Sequence, residues 1–561
     1  MEEYEIRRRL SALRKDGSDC EPCKEWEYEV IAFTFHEDYK DVPNVWGKYF
    51  GLTFGDSVNN DPDMKSIDEN TIAYWNDRVS ATKNPCMKAR YAGLIWNFSK
   101  KVSGKQADHQ IARIFVNALL EIVSGKHYRY DVDVIPKLEC GLSVAISLND
   151  SELMEQAKSA ILEYENVIAV DNKPGTWGFS FDSLVGNKKV SLTDNEERKI
   201  VCTLEERMER LKKSGDHWRC EMAAERLIRY HDAKKRDVNR IKVLRTLGSA
   251  FEGAARTVNP LLASFWLEHI YALYSQYGLK NEAEKVERRI NELALKAQNN
   301  MQSVSFELEF DNKQLEGYVE SIIQGSLVEG LSRIAMEYVE NCEKVEKQVQ
   351  DLARRYPLSF MFPTKRIGYE GRTEALIRPL EDDLDGHVVK QMADNMLAKN
   401  FILAKVIDCA IEKYSLEADS LLEYVCQSPI FSEKKRELLC IGIQSYLSGS
   451  YAVAVHLIIP QIEAALRELI ETSGGSIMKG VRGGGFDRKN INELLRTQQA
   501  IDILENDVVT YLRVVLTDRR GLNIRNKVFH GIFSYENFSR TMADRVFHIL
   551  LLLAQLRVQS E

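Results

Sequence analysis

The sequence has little that would commit it to a membrane, a metal or a nucleotide. Its longest apolar run, residues 549–554, is far too short for a bilayer, which takes about 20 residues. The opening Met-Glu-Glu-Tyr-Glu-Ile-Arg-Arg-Arg-Leu lacks the apolar core of a signal peptide. The expectation is a soluble, cytoplasmic protein with no membrane partner. Paired cysteines are scarce: of 10 cysteines only Cys20 and Cys23 form a CxxC, and the nearest downstream histidine, His36, stands alone. A structural zinc site takes four ligands, normally from two such pairs. Cys20 and Cys23 therefore read as free thiols and the others as buried, reduced cysteines, and neither metal nor cofactor is expected. A phosphate-cradling loop is missing too. Gly475 and Gly480 have Walker A spacing, but Val481 and Arg482 stand where Lys and Ser/Thr are required, and there is no GxGxxG in this glycine-rich stretch. Carboxylates clustered at metal-ligand spacing do not stand out, and Asp383, Asp385 and His387 read as a charged loop. Excess positive charge is absent as well. With 76 basic against 84 acidic residues the net charge is −8, which excludes a chain that coats nucleic acid by charge alone. A local basic site is compatible with that balance.

What is present is material for large helical cores. The chain has 561 residues, 44% of them hydrophobic and 29% charged, which suits two or three domains. Residues 1–150 form a mixed, mainly helical N-terminal region. Its strongest helix spans 111–123, with Ile114, Phe115, Ala118, Leu119 and Ile122 on one side. Residues 151–300 are almost all helix. Paired segments at 218–230, 238–251, 261–277 and 282–297 carry small and aromatic residues at helical spacing, such as Ala223, Ala224, Leu227 and Tyr230. They suggest stacked helical hairpins like a tetratricopeptide array, without a strict consensus. Such a region serves equally as a sensing or docking surface and as a plain scaffold. Alternation over 303–310 marks a short strand or connector and a boundary near 300. Residues 301–426 read as a helical connector, interrupted at 357–371 by a loop with two prolines and two glycines.

The last region, 427–561, reads as a four-helix bundle. Its apolar faces run through Leu439, Ile443, Tyr446 and Leu447, then Val455, Ile458, Ile459, Ile462, Leu466 and Leu469. A third, broken segment has Ile491, Leu494 and Leu495, then Val508, Tyr511, Leu512 and Val515, and a fourth has Met542, Val546, Ile549, Leu550 and Leu553. Between the third and fourth lies Gly-Leu-Asn-Ile-Arg-Asn-Lys-Val-Phe-His-Gly at 521–531. Arg525 offers a planar fork of donors suited to phosphate, and His530 can exchange a proton near neutral pH. Five residues apart, they would lie about 140° from each other on an ideal helix. One of them must sit at a helix end, and Gly531 supplies the stop. His456, Pro460 and Glu463 share a face of the second helix, which Pro460 should kink.

The Arg-Asn-x-x-x-His motif before the last helix, with His456, Pro460, Gln461 and Glu463 upstream, resembles the HEPN superfamily. The nearest likeness is to a bacterial branch described as a domain of unknown function. The resemblance covers roughly the last quarter of the chain, from about Glu433 onward, and is silent about the rest. It implies a HEPN-like bundle at the end of a mainly α chain whose earlier part is helical and repeat-like. It also implies a metal-independent endoribonuclease that works as a homodimer through this bundle, often as a toxin or anti-phage effector. Other members only bind RNA or protein.

In the residues' own chemistry, His530 would take the proton from a ribose 2′-hydroxyl or give one to the leaving 5′-oxygen, leaving a 2′,3′-cyclic phosphate. Arg525 would stabilise the phosphate, and Asn526 would orient the histidine or the phosphate. Glu463 and His456 would support them. The competing reading makes Glu463 a salt-bridge partner that only holds Arg525, and Arg525 and His530 a network that caps the last helix. Arg519, Arg520, Lys527, Lys479 and Arg482 are the candidate RNA contacts. A trigger of protein or phage origin would dock on the N-terminal helices. The alternative function is a non-catalytic RNA-binding, protein-binding or dimerisation module on a helical scaffold.

Overall fold

The computed structural model describes residues 3–15, 24–37, 49–53, 60–62, 64–298, 311–481 and 483–557. Cys20, Cys23, Arg482 and the stretch 303–310 lie outside the described residues. The fold is mainly α: helix accounts for 73% of it, and the described strands form four two-stranded antiparallel pairs. None of the described helices is long and apolar enough to cross a membrane. The chain divides into two compact units, Met1–Glu287 and Arg288–Glu561.

In the first unit the helices Glu69–Ala81, Pro85–Ser103, His109–Ser124, Ile135–Leu148 and Ser151–Ile168 follow one another. Asn84 caps the second of them ahead of Pro85, whose missing N–H costs nothing at that position. Trp75, Phe98, Phe115 and Leu119 are buried together. The helices Asp194–Ser214, His217–Ala233, Asp237–Ala255 and Pro260–Gln276 come next, each packed on its successor. Asp216 and Asn259 cap the second and the fourth.

The second unit carries the motif. A hairpin of β1 (Thr364–Ile367) and β2 (Thr373–Ile377) stands where a loop was expected. Then come α1 (Arg436–Leu447) and α2 (Tyr451–Thr472), which continues as helix through Pro460. The glycine-rich stretch is a second hairpin, β3 (Met478–Gly480) with β4 (Phe486–Arg488). After it lie α3 (Gln498–Leu516), α4 (Ile524–Phe529) and α5 (Arg540–Leu553). The break expected in the third segment falls at Glu505, whose φ of 65° lies outside helical space. The last helix is buried on every side from Met542 to Leu553, so it needs neighbours all round. It packs on α2 and also on the helices Leu327–Glu337 and Asn400–Tyr414. One apolar core therefore runs from Val319 to Ala554. This corrects the division at 426: residues 319–426 share the core of the motif-bearing helices instead of connecting to it.

Candidate active site

The motif begins with a turn that its sequence dictates. Gly521 lies so close to α3 that a Cβ there would come within 2.4 Å of the Val514 carbonyl oxygen. The Leu522 N–H donates to that same oxygen at 2.7 Å. Asn523 then adopts the left-handed region at φ 55° and starts α4. Arg525 sits near the start of this short helix. His530 is its C-cap, and Gly531 follows at φ 65°, a conformation that costs glycine little. The helix end thus relieves the angular mismatch between arginine and histidine. Arg525, Asn526 and His530 line one cavity of about 840 Å³.

Arg525 is held from behind. Its Nε and Nη2 donate to Glu463 Oε2 on α2 at 3.3 and 3.2 Å, and its Nη1 donates to Asn526 Oδ1 at 3.3 Å. The other oxygen of Glu463 accepts from Arg467 one turn along α2. The guanidinium also lies 5.3 Å from the ring centroid of Phe529. Asn526 donates to Asn523 Oδ1 at 2.8 Å and to the Thr517 carbonyl at 3.2 Å. Its side-chain bonds therefore orient the arginine and the turn, and none goes to the imidazole of His530, whose backbone N–H donates to the Asn526 carbonyl at 3.0 Å. The imidazole of His530 is exposed and has no hydrogen bond among the described residues, so both nitrogens are open to a ligand.

The remaining candidates separate. Glu463 is buried and belongs to the network, whereas His456 is exposed, donates from Nδ1 to the Ala452 carbonyl at 2.7 Å and lies 5.0 Å from the Phe538 ring. His456 does not line the cavity. Lys527 is a correction: it is buried, pairs with Glu374 of β2 at 3.1 Å and faces the Tyr369 ring at 5.1 Å, so it cannot reach RNA. Burial lowers its amine from the usual lysine range, against the pull of Glu374. Lys479 is committed to Glu493 at 2.7 Å and lies off the cavity. Arg520 lines the cavity but is spent on carboxylates, with Asp518 at 2.9 Å, Asp383 at 3.1 Å and Asp385 at 2.5 Å. Burial works to raise the Asp518 carboxyl, but the bonds from Arg520, with Arg513 nearby, hold it below the usual range. Asp383 and Asp385 thus serve Arg520, and His387 bonds the Arg378 carbonyl at 2.9 Å. Arg540 pairs with Asp408 in the open, and Arg545 is buried with its Nε donating to Asn400 Oδ1 at 2.7 Å. Of the expected RNA contacts that lie among the described residues, Arg519 alone remains exposed at the cavity and without a partner among the described residues.

The sequence reading missed the β1–β2 hairpin, which supplies Arg372, Thr373 and Glu374 to the cavity, and the 490–496 segment, which supplies Asn492 and Arg496. Nothing in the spacing of these residues relates them to the motif, because they reach it through tertiary packing. The arrangement offers a fixed cation, a free imidazole and further guanidiniums around one solvent-accessible space, which suits a phosphodiester. Compared with known protein families, with curated proteins and with solved structures, the chain matches none of them.

Proposed function

We propose that the second unit is a metal-independent endoribonuclease of the HEPN type, acting as a homodimer, with a toxin or anti-phage role and a trigger received by the N-terminal helices. The observation that carries this reading is the convergence of Arg525 and His530 on one open cavity, with the arginine braced by Glu463 and Asn526. His530 takes the 2′-hydroxyl proton. Arg525 stabilises the charge gathering on the phosphate, and Glu463 with Asn526 keep the guanidinium in place. One cavity holds one free imidazole, and a second copy of the chain brings the other proton-transfer group.

The test is cleavage of total RNA by the purified full chain with chelator present. His530→Ala should slow cleavage by about 10²–10⁴-fold and Arg525→Ala by a similar factor, and the wild-type products should end in 2′,3′-cyclic phosphate. Equal RNA integrity with wild type and His530→Ala, in the presence of phage lysate as well as in its absence, would sink the catalytic reading. The second reading, a non-catalytic RNA- or protein-binding module, draws on the same brace: an arginine held between Glu463 and Asn526 is also what a structural network looks like.

A further inference from the structure

Three guanidinium groups around the motif cavity are not consumed by the fold. Arg519, in the turn after α3, is exposed and unpaired among the described residues. Arg496 donates to a neutral acceptor, Asn492 Oδ1, at 3.3 Å. Arg372, in the lead into β2, is 54% exposed and stands 3.7 Å from an equally open Glu370. The three come from separate stretches of chain, yet all line the space into which Arg525 and His530 face.

The carboxylates around that space do not balance them. Glu374 is bound to Lys527, and Asp518 is bound to Arg520 and Arg513. Glu370 is left against Arg372, Arg496 and Arg519. Like charges gathered around a concavity repel one another and focus a positive field, and a bound polyanion relieves both effects. Guanidinium forks match phosphate oxygens in geometry as well as charge. Arg525, by contrast, is already opposed by Glu463, so one phosphate on it leaves the other three cations unsatisfied.

We propose that Arg372, Arg496 and Arg519 form a second phosphate subsite, which binds the phosphates next to the one held at Arg525 and makes the preferred ligand an oligonucleotide several phosphates long. The proposal rests on the ribonuclease reading for the choice of RNA. The three arginines are specificity determinants, and none is a catalytic residue. Their removal should raise KM and leave kcat nearly unchanged, because they contribute equally to ground and transition states.

The test uses the full chain with His530→Ala, which keeps RNA intact, and a fluorescein-labelled oligouridylate of about ten nucleotides. Affinity is read by fluorescence anisotropy across a salt series, beside a labelled uridine dinucleotide. The longer probe should bind at least about tenfold more tightly than the dinucleotide. Each Arg→Gln change at 372, 496 or 519 should lower the slope of log affinity against log salt by about 0.7, with dinucleotide binding nearly unchanged. Arg354→Gln, on the exposed face of the helix Cys342–Arg355, is the control and should change neither. An unchanged slope and affinity in the triple variant, with far-UV circular dichroism confirming the fold, overturns the proposal, as does equal affinity for the two probes. Cleavage by the wild type is measured separately. A wild type that cuts, beside a triple variant that binds and cuts like it, keeps the ribonuclease and loses the subsite. A wild type that never cuts but shows the expected salt slopes keeps the subsite and loses the ribonuclease.

Discussion

Glu463 has two arginines on one buried carboxylate, Arg525 on one oxygen and Arg467 on the other. Removing the charge leaves two guanidiniums facing each other. Glu463→Gln should therefore lower stability in urea unfolding by about 1–3 kcal/mol, less than a fully buried pair would because both arginines keep some contact with water. On the ribonuclease reading it should also cut the rate of RNA cleavage sharply; unchanged stability would show that the brace is weak. His548 gives a residue-scale prediction about pH. Its Nδ1 accepts from the Tyr511 hydroxyl at 2.6 Å and its Nε2 donates to the Ile334 carbonyl at 3.1 Å, so the neutral ring is fully satisfied. Burial, with the Arg545 charge behind it, pushes this histidine from 6.5 down to about 3. The unfolded chain takes up a proton near 6.5 that the folded chain refuses until about 3. The resulting stability is fully present above 6.5 and is lost as pH falls toward 3, at about 1.4 kcal/mol for each unit of separation. The wild type should lose more stability across that window than His548→Gln does in parallel urea titrations. At this scale the sequence was readable where chemistry is local: the helix stop at Gly531 could be foreseen. The engagement of Lys527 could not, because Glu374 lies far away in the chain.

Elements divide in the same way. Long helices such as His109–Ser124 and Pro260–Gln276 were legible because their apolar residues recur every three or four positions and their caps are Asp, Asn and Pro. The hairpin β1–β2 was not. Its strands run four and five residues, and their burial does not alternate, so no period of two exists to be read. Yet this hairpin shapes the cavity, and it is tied to α4 by the Glu374–Lys527 pair, to the turn before α4 by Arg366 donating to the Arg520 carbonyl at 2.7 Å and to the segment after α4 by Tyr369 against Phe533 at 5.2 Å. Glu374→Ala would strand a buried ammonium group, so a loss of about 3 kcal/mol is expected in denaturant unfolding. Replacing both partners, Glu374→Leu with Lys527→Met, should recover most of it, because apolar groups of similar size remove the unpaired charge. Failure of the double variant to recover would mean that the pair acts through more than its charge.

Across the whole chain, the division after Glu287 coincides with a division in composition that can be measured. All 7 tryptophans (26, 46, 75, 96, 177, 218 and 266) belong to the first unit, and the second has none. Helices fill both units, so far-UV circular dichroism reports on both while tryptophan fluorescence reports on the first alone. The apolar cores lie within the units: residues 6–153 of the first pack around Trp75 and Phe98, and residues 319–554 of the second pack around α2 and α5. Two cores of this kind unfold as two cooperative blocks unless their stabilities happen to match. Urea titration of the wild type should then give a circular dichroism curve that departs from the fluorescence curve. Glu374→Ala should move the part of the dichroism transition that fluorescence does not see and leave the fluorescence midpoint in place. Trp75→Ala, which opens a cavity in the first core, should do the reverse. If Glu374→Ala shifts the fluorescence midpoint as far as the dichroism midpoint, the chain unfolds as one block. Changes at the motif would then be felt in the N-terminal helices through stability alone, a coupling that a trigger on those helices could use in the opposite direction.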